Sequence, residues 1–271
     1  MDIMHGTSFR DPINIVAGDY EDARDSDIVI ITCGVARQKG QTRLELAQVN
    51  VDIIKDITPK ITAVAPNAIY IIVSNPVDVV TYAFLKLSGL PENQVIGSGT
   101  ILDTSRLRVA LSDYFNIAQK NIHAYVFGEH GDSAFIPWSL AQVSGVNLDE
   151  YVSLRKGIDP DITDVDKDGV TEFIHKSGSQ VIANKGATYY AVSASVCRLC
   201  DMLFSAYNTI VTVSTHMHCD YGIDDVCLST LTLVGPNGAQ GKVPVKLSDD
   251  EVEKLRLSAA KLRETIDNII I

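Results

Sequence analysis

The sequence has no apolar run long enough to cross a membrane. Its longest, Ala68–Val73 and Ile28–Cys33, fall far short of the roughly 18 residues a span needs. It also has no excess of positive charge: 23 Lys and Arg stand against 34 Asp and Glu, a net charge of −11. Nucleic-acid binders show the reverse balance, and no basic run offsets this one, so neither nucleic acid nor a membrane is expected as a partner. Acidic balance still leaves room for an anion at a local basic pocket. Cysteine is scarce and odd in number (Cys33, Cys197, Cys200, Cys219, Cys227), which excludes a disulfide framework and fits a reducing cytoplasm. The opening residues, MDIMHGTSFRDP, have an early acid and no apolar centre, so no secretory signal is expected there.

What is present is apolar material in quantity. Of 271 residues, 46% are hydrophobic, enough for a large core or two smaller ones and too much for a disordered chain. In the first part, short β-branched runs alternate with helical patterns. Strands are predicted at Ile13–Ala17, Ile28–Cys33, Ala68–Val73 and Gln94–Gly97. Helices are predicted over Arg43–Val64 and Val79–Leu87, which implies a parallel sheet covered on both faces. Ligands of such sheets gather at the carboxyl ends of the strands, here Thr32-Cys33-Gly34, Ser74-Asn75-Pro76 and Ser98-Gly99-Thr100.

After Leu102 the pattern becomes mixed. A helix around Ser105–Tyr114 and a strand at His123–Phe127 are followed by two helices, Val170–Asn184 and Ala187–Tyr207. Then come β-rich segments at Ile210–Thr215 and Val226–Val234, and a last helix opened by a Ser248/Glu251 capping box. Two domains sharing a cleft are expected, residues 1–98 and 99–271.

The chemistry concentrates in Gly128-Glu129-His130-Gly131-Asp132-Ser133. A histidine between two glycines at a strand end can point into a cleft, and it titrates near neutrality. In Leu102-Asp103-Thr104-Ser105-Arg106-Leu107-Arg108, a carboxylate that can orient an imidazole stands near a guanidinium that can grip a substrate carboxylate.

With SNPVD at 74–78, GSGTILDTSRLR at 97–108, GEHGDS at 128–133 and KGATYY at 185–190, the chain resembles the lactate/malate dehydrogenase family over essentially its whole length. Within it, the chain is most similar to the bacterial NAD-dependent L-lactate dehydrogenases. The resemblance implies a Rossmann-type doubly wound parallel sheet, N-terminally truncated, followed by an α+β substrate domain. It implies NAD as cofactor and a small 2-oxo or 2-hydroxy acid as substrate, pyruvate and L-lactate, in a homotetramer. It makes His130 the proton donor and acceptor, Asp103 its orienting partner, and Arg43 the group that polarises the carbonyl. Arg106 would hold the substrate carboxylate, with Asn75 and Thr188 beside the substrate. Tyr20, Gly34, Val35, Ser74, Asn75 and Ser98 would meet the cofactor. Arg108 and His123 match positions that bind fructose 1,6-bisphosphate between subunits in the bacterial branch, so the effector is expected there.

Two features depart from the family. In Gly34-Val35-Ala36-Arg37-Gln38, an ungapped match puts Arg37 at the position that discriminates substrates, which favours a dicarboxylate such as oxaloacetate. A compensated insertion puts Gln38 there instead and favours pyruvate. The GEHGDS and KGATYY motifs favour the lactate reading. The second departure is an absence: no G-x-G-x-x-G follows a first strand, and no acid ends a second. The resemblance places both in a first βαβ unit of about 45–50 residues upstream of Met1. Without that unit, two strands would be missing between Ile13–Ala17 and Ile28–Cys33, so a non-catalytic assembly or binding module is the alternative reading.

Three further patterns carry little. Asp164-x-Asp166-x-Asp168-Gly169 begins like a calcium loop but has His175 where the last ligand belongs, and is expected to open a helix. His216-Met217-His218-Cys219-Asp220 lacks a second ligand cluster, so no metal is assigned. Cys197-x-x-Cys200 lies on one face of a helical pattern and reads as packing.

Overall fold

A computed structural model describes residues 2–7, 13–36 and 42–271, and only the backbone of residues 2 and 43. After a short helix α1 (Asp2–Gly6), the chain forms β1 (Ile28–Ile31), α2 (Arg43–Val64), β2 (Ile69–Ile72), α3 (Val77–Ser88) and β3 (Val95–Gly97). The three strands pair in parallel, Ile28 opposite Ile69 and Tyr70 opposite Val95, because a helix carries the chain back between each. The α2 helix starts at a capping box in which Thr42 accepts from the Glu45 amide and the Glu45 carboxylate accepts from the Thr42 amide. It buries Ala47, Val51, Ile54 and Ile61 on one stripe against the sheet, as an amphipathic helix must.

The second part contains α4 (Ile101–Phe115), a small antiparallel sheet of β4 (Ile122–His123), β5 (Gln142–Val143) and β6 (Val146–Asn147), then α5 (Leu148–Lys156), α6 (Lys167–Lys185) and α7 (Tyr190–Leu203). It ends with β7 (Thr209–His218), β8 (Asp224–Gly235), β9 (Gly238–Lys242) and α8 (Asp249–Asp267). The large sheet runs β1-β2-β3-β7-β8-β9. Its parallel and antiparallel halves meet at one antiparallel pair, Gly97 with Ser214. A bridge between Gly128 and Ser229 ties the segment after β4 onto β8. One core lies between the sheet, α2, α3 and α8; another joins α4, α5 and the small sheet.

Two expectations change and two hold. Residues 13–17 form no strand, and all but Ile15 are exposed, Ile13 at 59% and Val16 at 68%. A strand exists only where a neighbour's amides and carbonyls meet its own, and no strand among the described residues stands between this segment and β1. The strand expected at His123–Phe127 shrinks to two residues, because the chain leaves β5 at Ala124 and rejoins partners only at the Phe127–Phe135 bridge. The acidic run at 164–168 caps α6: Asp166 accepts from the Gly169 amide. The box at Ser248 and Glu251 opens α8 as expected.

Candidate active site

The site is assembled where the parallel strands end. Beyond β3, Gly99 has φ +50, and a Cβ there would sit 2.6 Å from the Ser214 backbone nitrogen. Only glycine lets the chain turn this close to β7 and enter α4 at once. Three residues apart on α4, Asp103 and Arg106 share a face. Leu107, Leu111 and Phe115 on the same helix are buried in the second core and hold it in place.

His130 arrives from the other direction. Gly128 has φ +92, and a Cβ would lie 2.7 Å from Ser258 Oγ, so this turn also requires glycine. The backbone on either side is fixed by hydrogen bonds. The Gly128 amide donates to the Ser229 carbonyl (2.9 Å), the Glu129 amide to Ser258 Oγ (2.8 Å) and the His130 amide to Asp78 Oδ2 (2.7 Å). Asp78 lies in the first turn of α3 and is fully buried. Burial pushes its carboxyl up to about 6, against the Ser214 hydroxyl and the His130 amide, which favour the ionised form.

The result is one carboxylate with two partners. Asp103 Oδ2 lies 2.6 Å from His130 Nδ1, and Asp103 Oδ1 accepts from Arg106 Nη1 at 2.8 Å. Burial opposes charge on both members of the first pair. For Asp103 the charges and hydrogen bonds of His130 and Arg106 win, and its pKa is lowered. For His130 the charge and hydrogen bond of Asp103, with the charge of Asp78, win over burial and over Arg106, and its pKa is raised. A proton on Nδ1 held by Asp103 leaves Nε2 free to exchange a proton with a ligand.

Beside this group is a cavity of about 410 Å³. Asn75, Ser98, Asp103, Arg106, His130 and Thr188 all line it, with Ile174, Ile182 and Val192 from α6 and α7 as its apolar wall. Six residues expected from the sequence, spread over more than a hundred positions, therefore converge. A second cavity of about 530 Å³, also lined by His130, is bounded by Leu46, Val79 and Lys261.

Other expected residues stand elsewhere. Tyr20 is exposed in a 3-10 turn, near enough to Lys60 on α2 to act on its charge, and does not line the cavity. The Ser74 hydroxyl is taken up by the backbone carbonyls of Cys33 and Ile31, tying β2 to the end of β1, so its position is that of a structural tie. Gly34 and Val35 lie at the end of β1 beside Asn50, whose Oδ1 accepts from the Val35 amide at 2.8 Å. Arg37 and Gln38 lie outside the described residues, as does the side chain of Arg43, whose backbone begins α2. Arg108 Nε donates to the Ala124 carbonyl (3.1 Å). It lines a separate cavity of about 550 Å³ with Lys120 and Arg198, while His123 is exposed and is not in that lining.

Sequence reasoning missed three polar groups. Asp78 was legible only as the last residue of the SNPVD motif, with no local sign that it would meet the His130 amide. Asn50 is a buried polar side chain of α2; its Nδ2 donates to the carbonyls of Asn75 (2.6 Å) and Val35 (3.3 Å), joining the ends of β1 and β2. His175 on α6 lines the cavity with Nε2 2.9 Å from the Ala134 carbonyl, and only its helical phase could have signalled that.

Comparison with known proteins agrees with this geometry. Residues 1–97 match the NAD binding domain of lactate/malate dehydrogenase, and residues 100–270 match its alpha/beta C-terminal domain. L-lactate dehydrogenase 1 of Clostridium acetobutylicum is 44% identical over 270 residues, 99% of this chain and 85% of that protein. L-lactate dehydrogenase of Acetivibrio thermocellus is 41% identical over 271 residues, 100% of this chain and 84% of that protein. Among solved structures, a lactate dehydrogenase from a Medee basin deep-sea metagenome library superposes with a TM-score of 0.93 at 35% identity, covering 98% of this chain and 84% of that one. The minor L-lactate dehydrogenase of Enterococcus mundtii gives 0.93 at 28% identity, with 100% and 85% covered.

Proposed function

Because the chain belongs to the lactate/malate dehydrogenase family, we propose that it interconverts pyruvate and L-lactate with NAD as the redox partner. One observation carries the reading: a single buried carboxylate, Asp103, holds an imidazole on one oxygen and a guanidinium on the other, at the wall of a cavity. The residues present fit the nicotinamide end of the cofactor, since Asn75 and Ser98 line that cavity at the ends of β2 and β3, where ligands of parallel sheets gather. When bound, NADH supplies the hydride to the substrate carbonyl carbon.

The protein's own groups do the rest. Arg106 offers its remaining N–H donors to the substrate carboxylate, which aligns the keto acid in the cavity. His130 Nε2–H donates its proton to the carbonyl oxygen as the alcohol forms, and takes it back in the reverse direction. Asp103 stabilises the imidazolium before transfer and fixes the ring so that Nε2 faces the substrate. Thr188 and the apolar wall from α6 and α7 surround the methyl group. The family resemblance gives Arg43, at the first position of α2, the role of polarising the carbonyl oxygen.

The test is NADH oxidation by this chain with pyruvate and with oxaloacetate. Faster turnover of pyruvate is expected. Preference for oxaloacetate would support a malate dehydrogenase, the reading favoured by Arg37; in that case Arg37→Gln should restore pyruvate. A folded chain that fails to bind NADH would support the assembly-module reading. We also propose that fructose 1,6-bisphosphate binds at Arg108 and His123 between subunits of a homotetramer working in the cytoplasm; Arg108 shares a basic cavity with Lys120 and Arg198, which supports an anion there. Pyruvate saturation and oligomer size that ignore the bisphosphate would remove that assignment.

A further inference from the structure

Away from the catalytic cavity, three side chains converge where the 3-10 turn Glu92–Gln94 meets β7. His216 and His218, two residues apart on the strand, present their rings on the same side, with centroids 4.6 Å apart and planes at 78°. The Glu92 carboxylate reaches both. Its Oε1 is 3.1 Å from His216 Nδ1 and its Oε2 is 2.5 Å from His218 Nε2, while the two ring nitrogens are 3.2 Å from each other. We propose that Glu92, His216 and His218 form a binding site for a divalent transition-metal ion, zinc above all.

Donor spacing supports this directly. Ligands bound to tetrahedral zinc at 2.0–2.1 Å stand about 3.3 Å from one another. The nitrogen–nitrogen distance of 3.2 Å and the 3.1 Å between His216 Nδ1 and Glu92 Oε1 match that spacing, whereas the 2.5 Å between His218 Nε2 and Glu92 Oε2 is a hydrogen bond that an ion would replace. The donor set, two imidazoles and a carboxylate, suits zinc and its neighbours and not calcium or magnesium.

The outer contacts support it as well. Asp225 Oδ1 lies 3.3 Å from His216 Nε2, on the far side of the ring from Glu92. Asp225 is itself held by Lys86 (2.8 Å), Tyr82 (3.0 Å) and Arg263 (3.0 Å). A carboxylate fixed in this way takes the Nε2–H and leaves the Nδ1 lone pair facing Glu92 and His218, the arrangement that orients metal-binding histidines. His216 is nearly buried and His218 is open to solvent, so the site has a firm wall and an entry. A cavity of about 230 Å³ beside them, lined also by Thr215, Asp220 and Lys242, has room for a water as fourth ligand. The Lys242 amine is turned onto the Thr215 carbonyl at 3.2 Å.

The sequence pattern His216-Met217-His218 lacked a second ligand group, and the fold supplies it as Glu92, 126 residues from His218 along the chain. Glu92 lies in the part that matches the NAD binding domain and both histidines in the part that matches the C-terminal domain. A bound ion therefore links the two parts and stabilises the folded chain.

The experiment is titration of the metal-free full chain with Zn²⁺ by calorimetry and with Co²⁺ by visible absorption. One equivalent is expected to bind, with the absorption bands of four-coordinate cobalt, and Zn²⁺ should raise the thermal midpoint. His218 is exposed, so His218→Ala should fold normally and lose affinity by at least about tenfold, and so should Glu92→Gln. His130→Asn should leave binding unchanged, which separates this site from the catalytic histidine. No binding of either ion up to millimolar concentration, or binding unaffected by both His218→Ala and Glu92→Gln, would overturn the proposal.

Discussion

At the residue scale, the proposed chemistry and its pH range rest on the pair His130–Asp103. Each partner stabilises the other's charge more than burial penalises it. The raised pKa of His130 means that its share of folding stability is complete below its ordinary value and fades as pH rises through the raised one. For Asp103, whose pKa is lowered, the share is present above the ordinary carboxylate value and fades as pH falls through the lowered one. The same shift keeps His130 protonated, and able to donate to a keto acid, above its ordinary titration range. Asp103→Asn should therefore move the alkaline limb of the kcat/KM profile for pyruvate reduction to lower pH, measured from initial rates across pH. His130→Asn removes the donor altogether, and kcat should fall by about 10²–10⁴-fold while circular dichroism is unchanged. A His130→Asn variant with parent activity would exclude His130 from proton transfer.

At the scale of elements, short turns decide where these side chains sit. Gly128→Ala would place a Cβ against Ser258 and force a side chain into φ +92, costing about 1–3 kcal/mol. Urea denaturation should show the loss, and activity should fall with it because His130 follows two residues later. The start of α2 is a different case. Thr42 caps the helix in an exposed position, and Thr42→Ala should cost about 1 kcal/mol in a thermal melt. Because Arg43 is the first residue of that helix, the same change should weaken catalysis more than binding of NADH. The helices themselves were legible from periodicity: α2 spans the predicted Arg43–Val64, since its buried stripe repeats at helical spacing. The segment at 13–17 was not, because β-branched composition encodes a preference for extension but not the neighbour that makes extension a strand.

At the scale of the whole molecule, one sheet joins both parts of the chain, and its edge strand β1 differs from its neighbour β2. β1 has β2 on one side and no strand among the described residues on the other, and Ile30 is 42% exposed. β2 is paired on both sides. Amide hydrogen exchange should thus be faster in Ile28–Ile31 than in Ile69–Ile72, and equal protection would mean that another chain or segment covers the β1 edge. Ligand linkage gives a second test at this scale. NADH at 100 times its Kd should stabilise the fold by about 2.7 kcal/mol, read as a shift of the urea midpoint.

The sequence by itself determined the chemistry and most of the elements. Asp103 and Arg106 are three residues apart on one helix, and His130 lies between Gly128 and Gly131, so local spacing offered the candidate groups and the family motifs implied their roles. Only the tertiary structure decided which polar groups meet across the chain. Asp78 under the His130 amide, Asn50 between the ends of two strands, and Glu92 against His216 and His218 are contacts between residues distant in sequence. Such contacts leave no periodic trace, because they arise from how strands and helices stack and not from the conformational preference of any one segment. Ser74 and Tyr20 show the same limit in reverse: a position beside a strand end is visible in sequence, but the direction of its side chain is set by the backbone carbonyls and helices that packing brings next to it.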